Sequence, residues 1–143
     1  MNKTKKGFTL IELLVVIAII GLLATLSIIA LNSAQAKARD VKRLSDVREI
    51  RTALEMYFAS ENKYPDTLTT GDKIDDGTAV FMREYPKPPT PIDGSECTNT
   101  TSGVSEYTYV KDSDQSYTVH FCLGSNVNEV SSGYRTMTPA GIY

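Results

Sequence analysis

Residues 8–31 read FTLIELLVVIAIIGLLATLSIIAL, and this stretch decides the fold. Its 24 residues carry one charge, Glu12, and no proline. About 20 apolar residues cross a bilayer core as a helix, so the run is long enough to span. A carboxylate in such a segment costs about 2.5–3.5 kcal/mol near a bilayer centre and less toward its edge. A sequence that keeps Glu12 there predicts a partner for it.

On the N-terminal side lies Met1-Asn-Lys-Thr-Lys-Lys-Gly7. Lys3, Lys5 and Lys6 just before the span place that side in the cytoplasm and the remainder, from about Asn32 on, outside. An ordinary secretory signal is cut after its apolar region, behind small residues. Ser33-Ala34-Gln35-Ala36 imitates such a site, but the apolar run before it is too long for a signal.

On the C-terminal side the pattern becomes amphipathic without a break. Val41, Leu44, Val47, Ile50, Leu54 and Tyr57 recur at three- and four-residue steps, on one helical face. Between them fall Lys37, Arg39, Asp40, Lys42, Arg43, Asp46, Arg48, Glu49, Arg51 and Glu55. Asp46 with Arg43 and Glu55 with Arg51 stand at helical pair spacing. The reading is one helix from about Thr9 to about Ser60, ended by Asn62-Lys-Tyr-Pro65, because the residue before a proline leaves the helical region. Residues 66–103 are loop-rich, with a cluster from Pro86 to Pro91 and a short element near Ala79–Tyr85. Val104–Lys111 and Ser116–Leu123 form a hairpin across Asp112–Gln115, with Tyr117, Val119, Phe121 and Leu123 on one face. A third strand lies near Gly133–Thr138. The fold class is therefore α+β: a long N-terminal α-helix, transmembrane then amphipathic, with a small C-terminal antiparallel β-sheet head.

Charge is uneven. Residues 62–143 hold six basic and eleven acidic residues, which suits a soluble exterior and is a poor general surface for nucleic acid. Cys97 and Cys122 both fall in the part placed outside, where two cysteines of a small domain favour a disulfide. Closing a loop of about 25 residues stabilises by roughly 3 kcal/mol in the chain-entropy model, a useful staple for a head with a marginal core.

The run Lys5-Lys6-Gly7-Phe8-Thr9-Leu10-Ile11-Glu12-Leu13 resembles the N-terminus of type IV pilins and type II secretion pseudopilins. The resemblance is close over 1–31 and weaker to Tyr64-Pro65, where it is most similar to the major pseudopilins. It implies a leader, 1–7, cut after Gly7 by a prepilin peptidase, and N-methylation of the new terminus, Phe8. It implies a polymerisation helix over 8–31, an amphipathic continuation over 32–61 and a head over 62–143. Glu12 becomes the fifth residue after the cut and pairs with the Phe8 ammonium of a neighbouring subunit, which sets register. The implied product is a homopolymer, assembled with an inner-membrane platform protein and a cytoplasmic ATPase. The precursor sits in the cytoplasmic membrane, and the filament is extracellular or periplasmic. A major pseudopilin, a competence pilin for DNA uptake, and a membrane-anchored binding module are the rivals. Family members often carry a proline beyond the middle of the span; Ser27-Ile28-Ile29 has none.

The remaining signals are weaker. Asp72, Asp75, Asp76 and Gly77 offer oxygen ligands for calcium, but their spacing does not fit an EF-hand, and a solvated acidic turn is the plainer reading. Asp112 and Asp114 read as a polar turn. His120 stands as an ordinary strand residue, and Asn99-Thr100-Thr101 fits a glycosylation sequon. Tyr107, Tyr109 and Tyr117 read as sheet packing. No serine is placed with a histidine base, so no enzyme and no required cofactor are expected.

Overall fold

Leu10–Glu61, 52 residues with no proline, form the helix α1 in the computed structural model of the chain, which describes residues 7–98 and 105–143. Lys3, Lys5, Lys6, the Asn99 sequon and Val104 lie outside the described residues. Asn62 ends α1 with a left-handed φ of 55°, a conformation asparagine tolerates better than most residues. Pro65 lies three residues beyond that stop.

The chain divides into two units, one up to Gln35 and one from Ala36 to Tyr143. In the first, α1 is apolar and long enough to cross a membrane by length and composition, and its large side chains from Leu10 to Leu31 are exposed. Its hydroxyls are satisfied within the helix: Thr25 donates to the Leu22 carbonyl and Ser27 to that of Leu23. Such back-bonding lets hydroxyls sit in an apolar segment without orphaned donors.

In the second unit a four-stranded antiparallel sheet runs in the order β3 (Thr108–Ser113), β4 (Ser116–Leu123), β5 (Gly133–Thr138), β6 (Gly141–Ile142). A two-stranded hairpin, β1 (Ile74–Asp75) and β2 (Val80–Met82), and a short helix, α2 (Ser95–Thr98), precede it. The alternation expected for β4 holds: Tyr117, Val119, Phe121 and Leu123 are buried. They pack on Leu44, Val47, Ile50 and Leu54 of α1, joined by Tyr64, Tyr85, Tyr107, Tyr109 and Met137. The tyrosine rings are core: Tyr64 meets Tyr117 edge-on at 4.6 Å, and Tyr109 stacks on Tyr117 at 6.0 Å.

Four expectations shift. Strand β3 starts at Thr108 and reaches Ser113, so the turn is Asp114-Gln115, two residues shorter than expected. Val41 is 50% exposed and leaves the packed stripe of α1. Asp40, Arg43 and Asp46, placed between the apolar positions by periodicity, are instead fully buried. Asp46 pairs with Lys42 at 2.6 Å rather than with Arg43. Arg43 turns to Asp40 and the loops beyond it.

Candidate functional site

The N-terminal end of α1 is organised around Glu12. Thr9 precedes the helix, and its N–H and Oγ1 both donate to Glu12 Oε2, at 2.8 and 2.7 Å. The Glu12 N–H returns to Thr9 Oγ1 at 3.3 Å. This is a reciprocal capping box, and it satisfies donors that a helix start leaves unpaired. Its sequence signature is Thr9-Leu-Ile-Glu12 ahead of an apolar run, a local signal that the expectations for Gly7, Phe8 and Glu12 do not use. Both Thr9 bonds go to one carboxylate oxygen; Oε1 has no hydrogen-bond partner among the described residues. Phe8, beside the box, is 79% exposed, and a Cβ placed on Gly7 would meet nothing within 4 Å. Gly7, Phe8 and Glu12 thus lie on one exposed stretch.

A second cluster stands in the other unit, where residues 39–43 of α1 clamp two loops. Arg39 grips Asp93 with two hydrogen bonds, at 2.6 and 2.8 Å. Arg43 donates to Asp40, to Asp93 and to the carbonyls of Pro89 and Pro91. Asp40 in turn accepts the N–H groups of Gly124 and Ser125 and the Ser125 hydroxyl. Burying charges is tolerable only with such complete pairing. The Arg39 bond, opposed by partial burial and aided by Arg43, holds the Asp93 carboxyl below the usual carboxylate range. The loops touch backbone to backbone, since a Cβ on Gly124 would lie 2.6 Å from Asp93.

Deeper in, Asp46 accepts the Tyr107 hydroxyl at 2.9 Å. Its other oxygen faces Lys42 as a close ion contact rather than an aligned hydrogen bond. Cys97 and Cys122 are joined as a disulfide with Cα atoms 5.7 Å apart, tying α2 to β4. His120 stacks on Tyr134 at 5.4 Å, and its buried Nδ1 has no partner among the described residues. The acidic turn is closed on itself: Asp76 accepts the Ser60 hydroxyl and the N–H groups of Ala79 and Thr78, which lower its carboxyl to about 2. Asp72 is committed to Thr69, and Asp75 to Lys73 and the Gly77 N–H. Among the described residues no group of three or more His, Cys, Asp or Glu is placed to hold a metal ion.

The family model described as "Prokaryotic N-terminal methylation motif" matches residues 2–28. The type II secretion system core protein G of Dickeya chrysanthemi is 33% identical over 91 residues, 64% of this chain and 55% of that protein. Its Escherichia coli namesake is 43% identical over 63 residues, 44% of this chain and 43% of its own length. The type IV major pilin protein PilA of Myxococcus xanthus is 35% identical over 65 residues, 46% of this chain and 30% of that protein. The chain therefore spans about half the length, or less, of these curated relatives. No solved structure matches it.

Proposed function

From its N-terminal motif and its relatives we infer that this chain belongs to the type IV pilin and type II secretion pseudopilin family, and we propose that it is a structural subunit that polymerises through α1. A prepilin peptidase cuts between Gly7 and Phe8 and methylates the Phe8 nitrogen. The cut removes three lysines and leaves every acidic residue, taking the formal net charge from −2 to −5. The precursor waits in the cytoplasmic membrane, and a platform protein and an ATPase drive its release into an extracellular or periplasmic homopolymer.

One observation carries the reading: Glu12 is an acid on an otherwise apolar, exposed helical stretch, and among the described residues its Oε1 has no hydrogen-bond partner. Cleavage creates an ammonium on Phe8. In a fibre Glu12 Oε1 accepts that ammonium from a neighbouring copy, which offsets desolvation of both groups and sets the axial register. The match to the Dickeya protein favours a pseudopilus over a surface pilus, because it runs over 91 residues against 65 for the Myxococcus pilin. The intact mass of protein sheared from cells tests processing and polymer residence together. It should match residues 8–143 plus one methyl group, less two hydrogens for the disulfide. Protein that stays in the membrane with residues 1–7 attached reduces the chain to an anchored binding domain. Glu12→Ala protein that is processed and assembles like wild type refutes the pairing.

A further inference from the structure

The disulfide and the clamp share the same two loops. Asp93, held by Arg39 and Arg43, lies just before Cys97 in the chain. Gly124 and Ser125, whose N–H groups bond Asp40, lie just after Cys122. Each clamped loop therefore carries one sulfur of the Cys97–Cys122 bond. The loops also meet directly: a Cβ on Gly94 would lie 2.7 Å from the Gly124 Cα. The Gly94 carbonyl accepts the Cys97 N–H at 3.2 Å, so this contact continues into α2 without a break.

Both cysteines are buried, and they form a pair apart from the main core. That core, between α1 and the sheet, takes none of residues 86–97. The segment is instead bonded to α1 by polar groups, through Asp93 and the carbonyls of Pro89 and Pro91. Thiol–disulfide exchange needs a thiolate to reach one sulfur, so a buried bond reacts only after something opens. Unfolding of the whole head would expose it, at the cost of the apolar core. Lifting residues 86–97 breaks the clamp alone, exposes far less surface and happens far more often.

We propose that the Arg39–Asp40–Arg43 clamp gates the Cys97–Cys122 bond: an external dithiol reaches it when residues 86–97 lift off α1, with the strands of the head still folded. One thiolate of the dithiol attacks a cysteine sulfur, and the other cysteine leaves as a thiolate and takes a proton. The second thiol of the reagent then closes its own ring and releases the first cysteine, so two protein thiols and one oxidised dithiol result. The relation runs both ways. The disulfide keeps the loops together and so keeps Gly124 and Ser125 on Asp40; reduction loosens the grip of α1 on both.

The test is the rate at which dithiothreitol reduces the detergent-solubilised full chain at rising urea, below the unfolding transition, read by thiol alkylation and mass. Wild type gives a plateau, a rate nearly independent of urea, because the opening exposes little surface. Arg39→Gln removes the two-bond grip on Asp93 and raises the plateau about fivefold or more, as loss of a charge-assisted pair does. Ile50→Val, in the core that stays folded, lowers the urea midpoint and leaves the plateau where it was. In the reduced chain the Gly124 and Ser125 amides exchange hydrogen faster, while those of Val119 and Phe121 in β4 stay protected. A wild-type rate that climbs with urea as steeply as unfolding itself overturns the proposal, because reduction then waits for the whole head. So does a plateau that Arg39→Gln leaves unmoved, or one that Ile50→Val raises equally. Unchanged exchange at Gly124 and Ser125 after reduction refutes the reverse coupling.

Discussion

Helix α1 carries two halves with opposite relations between hydropathy and burial. From Leu10 to Leu31 its large apolar side chains are exposed, and its one acid is closed onto its own first turn. From Asp40 to Leu54 it is rich in charge, yet three of its charged residues are as buried as the leucines beside them. Burial in a single copy therefore follows available partners, not residue polarity. The second half finds its partners within the chain: loop carbonyls, loop N–H groups and opposite charges. The first half leaves its large apolar side chains exposed, with the length and composition of a membrane-crossing helix.

The largest break in this comparison comes from Asp40. Asp40→Ala removes the acceptor for Gly124 and Ser125 and leaves the Arg43 charge buried with one carboxylate fewer. Breaking a buried pair from one side costs about 3–5 kcal/mol. Urea unfolding of the detergent-solubilised chain, followed by tyrosine fluorescence, should show that loss. A change below about 1 kcal/mol, the range of exposed pairs, means the clamp is no more than a surface network. Next comes the disulfide: Cys97→Ser with Cys122→Ser should lower stability by roughly 3 kcal/mol, since a loop of about 25 residues is released. Reduction of wild type should reproduce that value.

Acid sharpens the same contrast. Asp93 titrates below its ordinary value in the folded state because of Arg39 and then Arg43, so in acid the unfolded chain binds more protons than the folded one. The contribution of Asp93 is fully present above the ordinary carboxylate range, near pH 4, and drains away as pH falls through the lower folded value. Asp93→Asn should flatten the urea midpoint across that window and leave it parallel to wild type at neutral pH. An unchanged acid slope shows that Arg39 and Arg43 do not hold this carboxylate.

Legibility followed the same divide. Periodicity and the Pro65 stop place α1 to within a residue or two at each end, because both are local, and the third strand expected near Gly133–Thr138 is found there. It could not give the clamp. Asp40 and Arg43 sit at polar-looking positions, and their partners, Pro89, Asp93 and Ser125, are about 50 or 85 residues away. Nothing in the helix itself distinguishes a charge that will be buried from one that will be solvated. Strand β6 was missed because Gly141–Ile142 offers two residues, too few for alternation to register. The capping box is fully local and legible, with Thr9 and Glu12 three residues apart ahead of an apolar run.

The choice between a near and a distant partner for Glu12 sets the smallest effect. Thr9→Val removes the hydroxyl that bonds Glu12 while keeping shape, and leaves the Thr9 N–H on Oε2. Loss of a capping side chain costs about 0.5–2 kcal/mol, spent in the first turn of α1. The urea midpoint of the head should not move, because residues 36–143 form a separate unit. The informative readout is polymer. If Glu12 serves a neighbour's Phe8 ammonium through Oε1, Thr9→Val assembles near wild-type yield while Glu12→Ala does not. The freed carboxylate is then more available, not less. If Thr9→Val loses filaments as completely as Glu12→Ala, the carboxylate works by closing its own helix end. The axial register must then come from contacts elsewhere on the subunit.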